Sequence, residues 1–193
     1  MIEQIRSFIA IELPEPVKIG LRQIQDVLKS PGPTSAKWVD PNSIHLTLKF
    51  LGNVSIDKIA GIITMTERAI ETFGPFRLEI GGLGAFPNMR RVQVVWVGIA
   101  GDLDRLQLLQ KRVESKMAEL GFPPEGRAFT PHLTLARVRD NATPDQRQAL
   151  GQIIAGIKLE SSLIVDVNSV SLMRSQLNPS GAVYTELHSF ALH

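Results

Sequence analysis

The 193-residue chain carries 21 Lys and Arg against 19 Asp and Glu, a net charge of +2, and 44% of its residues are hydrophobic. That length and apolar content suffice for one large domain or two small lobes around a real core, while so small a net charge does not mark a nucleic-acid binder by bulk electrostatics. The chain has no cysteine, which excludes disulfides, thiolate nucleophiles and Cys-based zinc sites together.

The opening MIEQIRSFIAIELPEP holds only a short apolar run flanked by Glu3, Glu12 and Glu15, unlike the basic-then-apolar layout of a secretory signal. No stretch approaches the roughly 18 apolar residues of a membrane span, so a soluble, cytoplasmic monomer without membrane contact is expected. SFIAIEL at 7–13 reads as a strand, and Pro14 and Pro16 open a helix carrying Val17, Leu21, Ile24 and Leu28 on one face. PGPT at 31–34 ends it. A short strand around Trp38, a DPN turn and a strand from Ile44 to Leu51 follow. Ser55 is then the expected N-cap of a second helix with Ile59, Ile63 and Ile70 facing inward. A strand over Phe76 to Ile80 leads into a glycine-rich segment, Gly81 to Arg91, read as a flexible hairpin.

From residue 92 the order restarts, with strand VQVVWVGI and a helix carrying Leu103, Leu106, Val113, Met117 and Leu120 at helical spacing. GFPPEG breaks that helix. A strand over HLTL follows, then a helix begun by Thr143, Pro144, Asp145 and Gln146, a capping box with Pro at the first helical position. Leu159 to His193 reads as three strands.

HLTL occurs twice, at 45–48 and 132–135, and takes two of the four histidines. The copies are 87 residues apart (132 less 45), and the same offset carries Phe8 onto Val95. Each half reads strand, helix, strand, strand, helix, strand. The expectation is therefore an α+β fold: one bilobal domain over 1–193, internally duplicated with repeats of approximately 6–86 and 92–175. Two ferredoxin-like lobes with antiparallel sheets, related by a pseudo-twofold axis, then flank a central cleft.

Alternate side chains on a strand share a face, so His45 and Thr47 point one way while Leu46 and Leu48 anchor the strand, and His132 and Thr134 do the same. Two imidazoles facing each other suit displacement at phosphorus, because one accepts a proton while the other donates one. Two hydroxyls can hold the non-bridging oxygens. A single HLTL is simply a good strand sequence; its recurrence around a polar pair favours a site. One imidazole per strand with no fixed carboxylate is a poor metal set, and no G-x-S-x-G suggests a serine hydrolase. Neither a metal nor another cofactor is expected.

RSFIAIELP at 6–14, KWVDPNSIHLTLKFLG at 37–52, GAFPNMRR at 84–91, FTPHLTLARV at 129–138 and LMRSQLNPSGAVY at 172–184 together resemble the two-histidine phosphoesterase superfamily, and within it the RNA 2′,3′-cyclic phosphodiesterase branch, historically called 2′-5′ RNA ligase. The resemblance runs nearly the full length, in order. It implies metal-independent hydrolysis of a 2′,3′-cyclic phosphate on RNA or a nucleotide to a 2′-phosphate. His132 would be the proton acceptor, His45 the proton donor, and Thr47 and Thr134 the phosphate-binding pair. Reversal would give ATP-independent 2′-5′ ligation.

Further substrate contacts are sought in Tyr184, in Phe8, Phe50 and Phe129 as stacking surfaces, and in Arg90 and Arg91 beside the RNA backbone. Arg137 is a weaker candidate, since alternation puts it on the opposite face from Thr134 unless the strand bends. Core packing suits at least two of the phenylalanines. His188 and His193 lack a Thr two residues on and are read as bystanders. The rival reading is a non-catalytic RNA-binding module with paired ferredoxin-like lobes.

Overall fold

The structure, a computed structural model, describes residues 3–32, 35–159, 162–178 and 181–193. Pro33 and Thr34 of the expected PGPT break lie outside the described residues, as do Pro179 and Ser180 in the C-terminal stretch.

The elements follow the hydrophobic pattern closely. Strand β1 (Gln4–Ile11) leads into helix α1 (Glu15–Lys29), opened by Pro14 as N-cap with Pro in its first turn. Strand β2 (Ala36–Trp38) and a 3₁₀ turn (Pro41–Ser43) precede strand β3 (Leu46–Ser55); the Asp40 side chain accepts from the Asn42 N–H and fixes the turn. Helix α2 (Ile59–Ile70) starts later than expected, because Ser55 bonds Asp57 and a 3₁₀ turn (Ile56–Lys58) intervenes. Its buried face is Ile62, Met65, Thr66, Ala69 and Ile70; Ile59 and Ile63 are only partly covered.

Strand β4 (Phe76–Phe86) runs straight through the expected glycine-rich loop. Gly82, at φ 71°, forms the bulge that lets the strand continue. Only a tight turn at 88–91 then separates it from strand β5 (Val94–Gly101). This turn is pressed against the C-terminal half of the molecule: a Cβ on Gly151 would overlap the Met89 carbonyl. Helix α3 (Leu103–Glu119), strand β6 (His132–Val138), helix α4 (Pro144–Gly156) and strands β7 (Leu163–Val167), β8 (Ser169–Asn178) and β9 (Gly181–Ala191) complete the chain. The Thr143–Gln146 capping box forms in both directions.

The α+β class with antiparallel sheets is as expected. The two halves of the chain exchange strands. One sheet has the order β3-β1-β8-β9 and the other β2-β6-β5-β4-β7, so β2 and β4 join the second half's strands while β8 and β9 return to the first. The helices cross over too: α1 lies against β7 and α4 against β4, while α3 lies against β3 and α2 against β9. Ile9 and Ile11 of one sheet and Leu133 and Leu135 of the other consequently share one continuous core. Among the described residues no helix is long and apolar enough to cross a membrane.

Candidate active site

Both HLTL strands carry a β-bulge at the same place. Opposite β1, the register jumps from Ile9↔Lys49 to Ala10↔Thr47, which leaves Leu48 unpaired. Opposite β5, it jumps from Val95↔Ala136 to Trp96↔Thr134, which leaves Leu135 unpaired. Ile9 thus corresponds to Val95, an offset of 86 (95 less 9), one less than for the motifs themselves. Phe8 accordingly matches Val94, not the Val95 given by the motif offset.

A bulge breaks simple alternation, with consequences for two candidates. Thr47 faces Ala10 and Phe50 faces Phe8, so residues three apart share a face; likewise Thr134 faces Trp96 and Arg137 faces Val94. Arg137 therefore lies on the same face as His132 and Thr134, contrary to the plain alternation argument. Phe50, the residue at its place in the first motif, is 63% exposed.

His45 stands just before β3 in an aromatic box. Its ring stacks on Phe8 at 4.5 Å and meets the edge of Tyr184 at 4.8 Å, and Phe8 and Tyr184 touch at 5.3 Å. Phe8 is thus buried as a ring partner of His45 and offers no stacking face of its own. Burial pushes the His45 imidazole down to about 4, partly countered by its hydrogen bond to the Ser43 backbone. His132, first in β6, donates from Nδ1 to the Thr130 carbonyl at 2.7 Å. Because a carbonyl only accepts, the neutral ring keeps its Nε2 lone pair free. Both imidazoles are therefore tied to the backbone two residues upstream.

Neither motif threonine's hydroxyl has a hydrogen-bond partner among the described residues, and both side chains are half-buried. Phe129 packs into the main core and not onto the motif rings. Arg90 and Arg91 are exposed on the 88–91 turn, whose N–H groups donate to the Asn88 side chain. His188 sits by Phe190 at 4.6 Å and His193 is exposed; neither belongs to the motif rings.

Residues that the sequence reading missed surround the second motif. Phe86 meets His132 edge-on at 4.9 Å, and Trp96 lies 6.4 Å from it. Gly84, opposite Trp96 in the register, leaves the room its indole occupies. Trp96 Nε1 is the one buried side-chain polar atom without a partner among the described residues. No periodicity marks these positions. The register would have, since every residue opposite a motif threonine or its neighbour shares its face. Glu12 and Glu186 form a second missed group: burial and its bond to Glu186 raise the Glu12 carboxyl above its usual range, and Ser171 donates to Glu186 at 2.8 Å.

The motifs are tied together mechanically. Val39 donates its N–H to the Leu135 carbonyl at 2.9 Å, and the Gln25 amide donates to both the Val39 and Leu135 carbonyls at 2.7 and 3.1 Å. Only five residues, three of them in the Pro41–Ser43 turn, separate Val39 from His45, so the first histidine stays within about 20 Å of the second motif. Among the described residues, no group of three or more His, Cys, Asp or Glu side chains converges as a metal set would.

The His45 environment makes a pH prediction. Its folded-state pKa is depressed, so the unfolded chain binds the proton first as pH falls below about 6.5. The stabilisation is complete above that pH and is lost as pH falls towards 4, by about 2 kcal/mol between pH 7 and 5. Urea unfolding should show a weaker acid destabilisation over that interval in His45→Phe than in the wild type; parallel curves would contradict the burial of a neutral imidazole.

A family model described as the 2′-5′ RNA ligase superfamily matches residues 14–179. An RNA 2′,3′-cyclic phosphodiesterase of Methanothermobacter thermautotrophicus is 35% identical over 189 residues, covering 98% of this chain and 100% of that protein. One from Archaeoglobus fulgidus is 34% identical over 188 residues, covering 96% and 99%. Among solved structures, TT0787 of Thermus thermophilus superposes with a TM-score of 0.79 at 29% identity, covering 97% of both chains. Escherichia coli LigT complexed with 3′-AMP superposes at 0.76 and 25%, covering 98% of this chain and 99% of that one.

Proposed function

The chain belongs to the 2′-5′ RNA ligase superfamily, and on that premise we propose that it is an RNA 2′,3′-cyclic phosphodiesterase that opens the cyclic phosphate at an RNA or nucleotide end to leave a 2′-phosphomonoester. One observation carries the reading. In each motif a bulged strand sets an imidazole and an unpartnered hydroxyl on one face, with the imidazole anchored to the backbone two residues upstream. We read the chain as one bilobal domain of two repeats, approximately 6–86 and 92–175, whose motif faces line a common cleft.

In the proposed mechanism His132 Nε2 takes a proton from water, whose oxygen attacks phosphorus in line with O3′. The P–O3′ bond breaks and His45 donates the proton that O3′ acquires. Thr47 and Thr134 donate hydrogen bonds to the non-bridging oxygens as charge builds there. His45 is neutral in the free protein at pH 7, so it becomes a donor only with its substrate: an anionic phosphate beside it favours the imidazolium. If a 5′-hydroxyl replaces water, the same groups run a 2′-5′ ligation without ATP. Tyr184, Phe50 and Arg137 extend the site towards the nucleotide, and Arg90 and Arg91 extend it towards the RNA backbone. The protein acts as a cytoplasmic monomer and needs no metal or other cofactor.

The test is turnover of an oligonucleotide ending in a 2′,3′-cyclic phosphate by EDTA-treated protein, with ³¹P NMR of the product. A 2′-phosphomonoester is expected. Binding without turnover would instead make the protein an RNA-binding module, and activity that EDTA abolishes and a divalent ion restores would defeat the metal-free mechanism.

A further inference from the structure

Strand β3 carries a second bulge. Opposite β1 the register jumps again, from Phe8↔Phe50 to Ser7↔Gly52, which leaves Leu51 unpaired. Two bulges in succession bring every third residue of β3 onto the motif face: Thr47 lies opposite Ala10, Phe50 opposite Phe8 and Asn53 opposite Arg6. On the other side of β1, Arg6 faces Ser175, which in turn faces Tyr184 of β9. Ile5, Ser7 and Val54 are buried on the core side, so alternation along β1 leaves Arg6 and Asn53 exposed beside the motif.

Arg6 is a cation without a counter-charge. Arg6 and Asn53 are exposed and Ser175 is half-buried, and none of the three has a side-chain hydrogen bond or ion pair among the described residues. A basic residue on an edge strand has an ordinary explanation, since it discourages sheet-to-sheet aggregation, but β1 is an interior strand. The pairs before and after it hold no acid: Gln4 lies opposite Ser55, and Phe8 lies between Phe50 and Met173. Glu186, the acid on this face of β9, is two strands away and accepts from Ser171 at 2.8 Å. A guanidinium with a neutral hydrogen-bonding side chain on each neighbouring strand suits the oxygens of a phosphate.

Its distance from the motif selects which phosphate. Four residues of β1 separate Ala10, beside Thr47, from Arg6, a span of about 13 Å, two steps between successive phosphates along an extended nucleic-acid strand. The side chain between them, Phe50, is 63% exposed and offers a surface on which a base can lie.

We propose that Arg6, flanked by Asn53 and Ser175, is a specificity-determining residue that takes the second phosphodiester upstream of the cyclic phosphate, so that an RNA strand of three or more nucleotides is preferred to a shorter end. The inference rests on the phosphodiesterase reading and deepens it. The chemistry stays at the two motifs, and the face of the first sheet guides the strand away from them over Phe50 to Arg6.

The test is a series of mono-, di-, tri- and tetranucleotides, each ending in a 2′,3′-cyclic phosphate. In the wild type kcat/KM should rise about tenfold from di- to trinucleotide, the order expected of one charge-assisted contact, and should not rise again at the tetranucleotide. The gain should shrink with added salt, as a phosphate contact does. In Arg6→Gln it should vanish, while Arg6→Lys should keep most of it. Asn53→Asp leaves the arginine in place but sets an acid opposite it, and should cut the gain as well. Each ratio is taken within one protein preparation, so a loss of folded protein cancels. A trinucleotide gain that is absent from the wild type, or that survives Arg6→Gln, would overturn the subsite while leaving the phosphodiesterase intact. No turnover of any substrate would overturn both.

Discussion

His132→Ala and His45→Ala are each expected to lower kcat for a cyclic-phosphate end by about 10²–10⁴-fold, the range for losing one general acid or base. The two should separate on a diester with a good leaving group. A nitrophenolate departs without protonation, so a 3′-deoxynucleoside 2′-(4-nitrophenyl phosphate), which has no neighbouring hydroxyl to attack phosphorus, makes the donor dispensable while still requiring activated water. His45→Ala should regain most of the loss on that ester and His132→Ala should not. Rescue of His132→Ala in its place would exchange the two roles. That exchange is a real alternative, since burial holds His45 near 4 and so favours its neutral form in the free protein. The donor assignment depends on the substrate's charge raising it.

Glu114→Ala should be the most damaging substitution away from the motif residues. Lys49, four residues after His45, is 5% exposed and points away from the site into the core, where its Nζ meets Glu114 Oε1 at 2.5 Å and the Pro123 carbonyl at 2.6 Å. The same carboxylate accepts the Glu125 N–H at 2.7 Å, so one ion pair joins the first motif strand to α3 and to the turn that leads to the second motif. Removing the acid strands a buried ammonium, and unfolding in urea should register a loss of about 3–5 kcal/mol. The double variant Lys49→Met/Glu114→Leu removes both charges and should recover most of that loss. A single variant that loses less than about 1 kcal/mol would show that the pair is effectively solvated.

Most of the elements were legible because their signals are local. Pro14 and Pro16 open α1, the Thr143–Gln146 box opens α4, and the apolar rows of α1 and α3 repeat at helical spacing. The motif residues were legible because a tetrapeptide recurs. Partner choice between strands was not, for it is decided by non-local pairing: nothing in AKW assigns β2 to β6 in place of β3. The bulges at Leu48 and Leu135 were equally hidden, since each leucine reads as an ordinary core position and is in fact buried. Their consequence was the sharpest correction at the site, because one unpaired residue moved Arg137 to the motif face.

The central claim is that the two histidine-threonine motifs are halves of one catalytic site, and a double-mutant cycle on kcat tests it most directly. Wild type, His45→Ala, His132→Ala and the double variant are compared on one cyclic-phosphate oligonucleotide in EDTA. Groups that act as a unit are strongly non-additive, so the double variant should be no slower than the slower single variant within about threefold. Losses that multiply, or wild-type kcat in either single variant, would contradict a shared site.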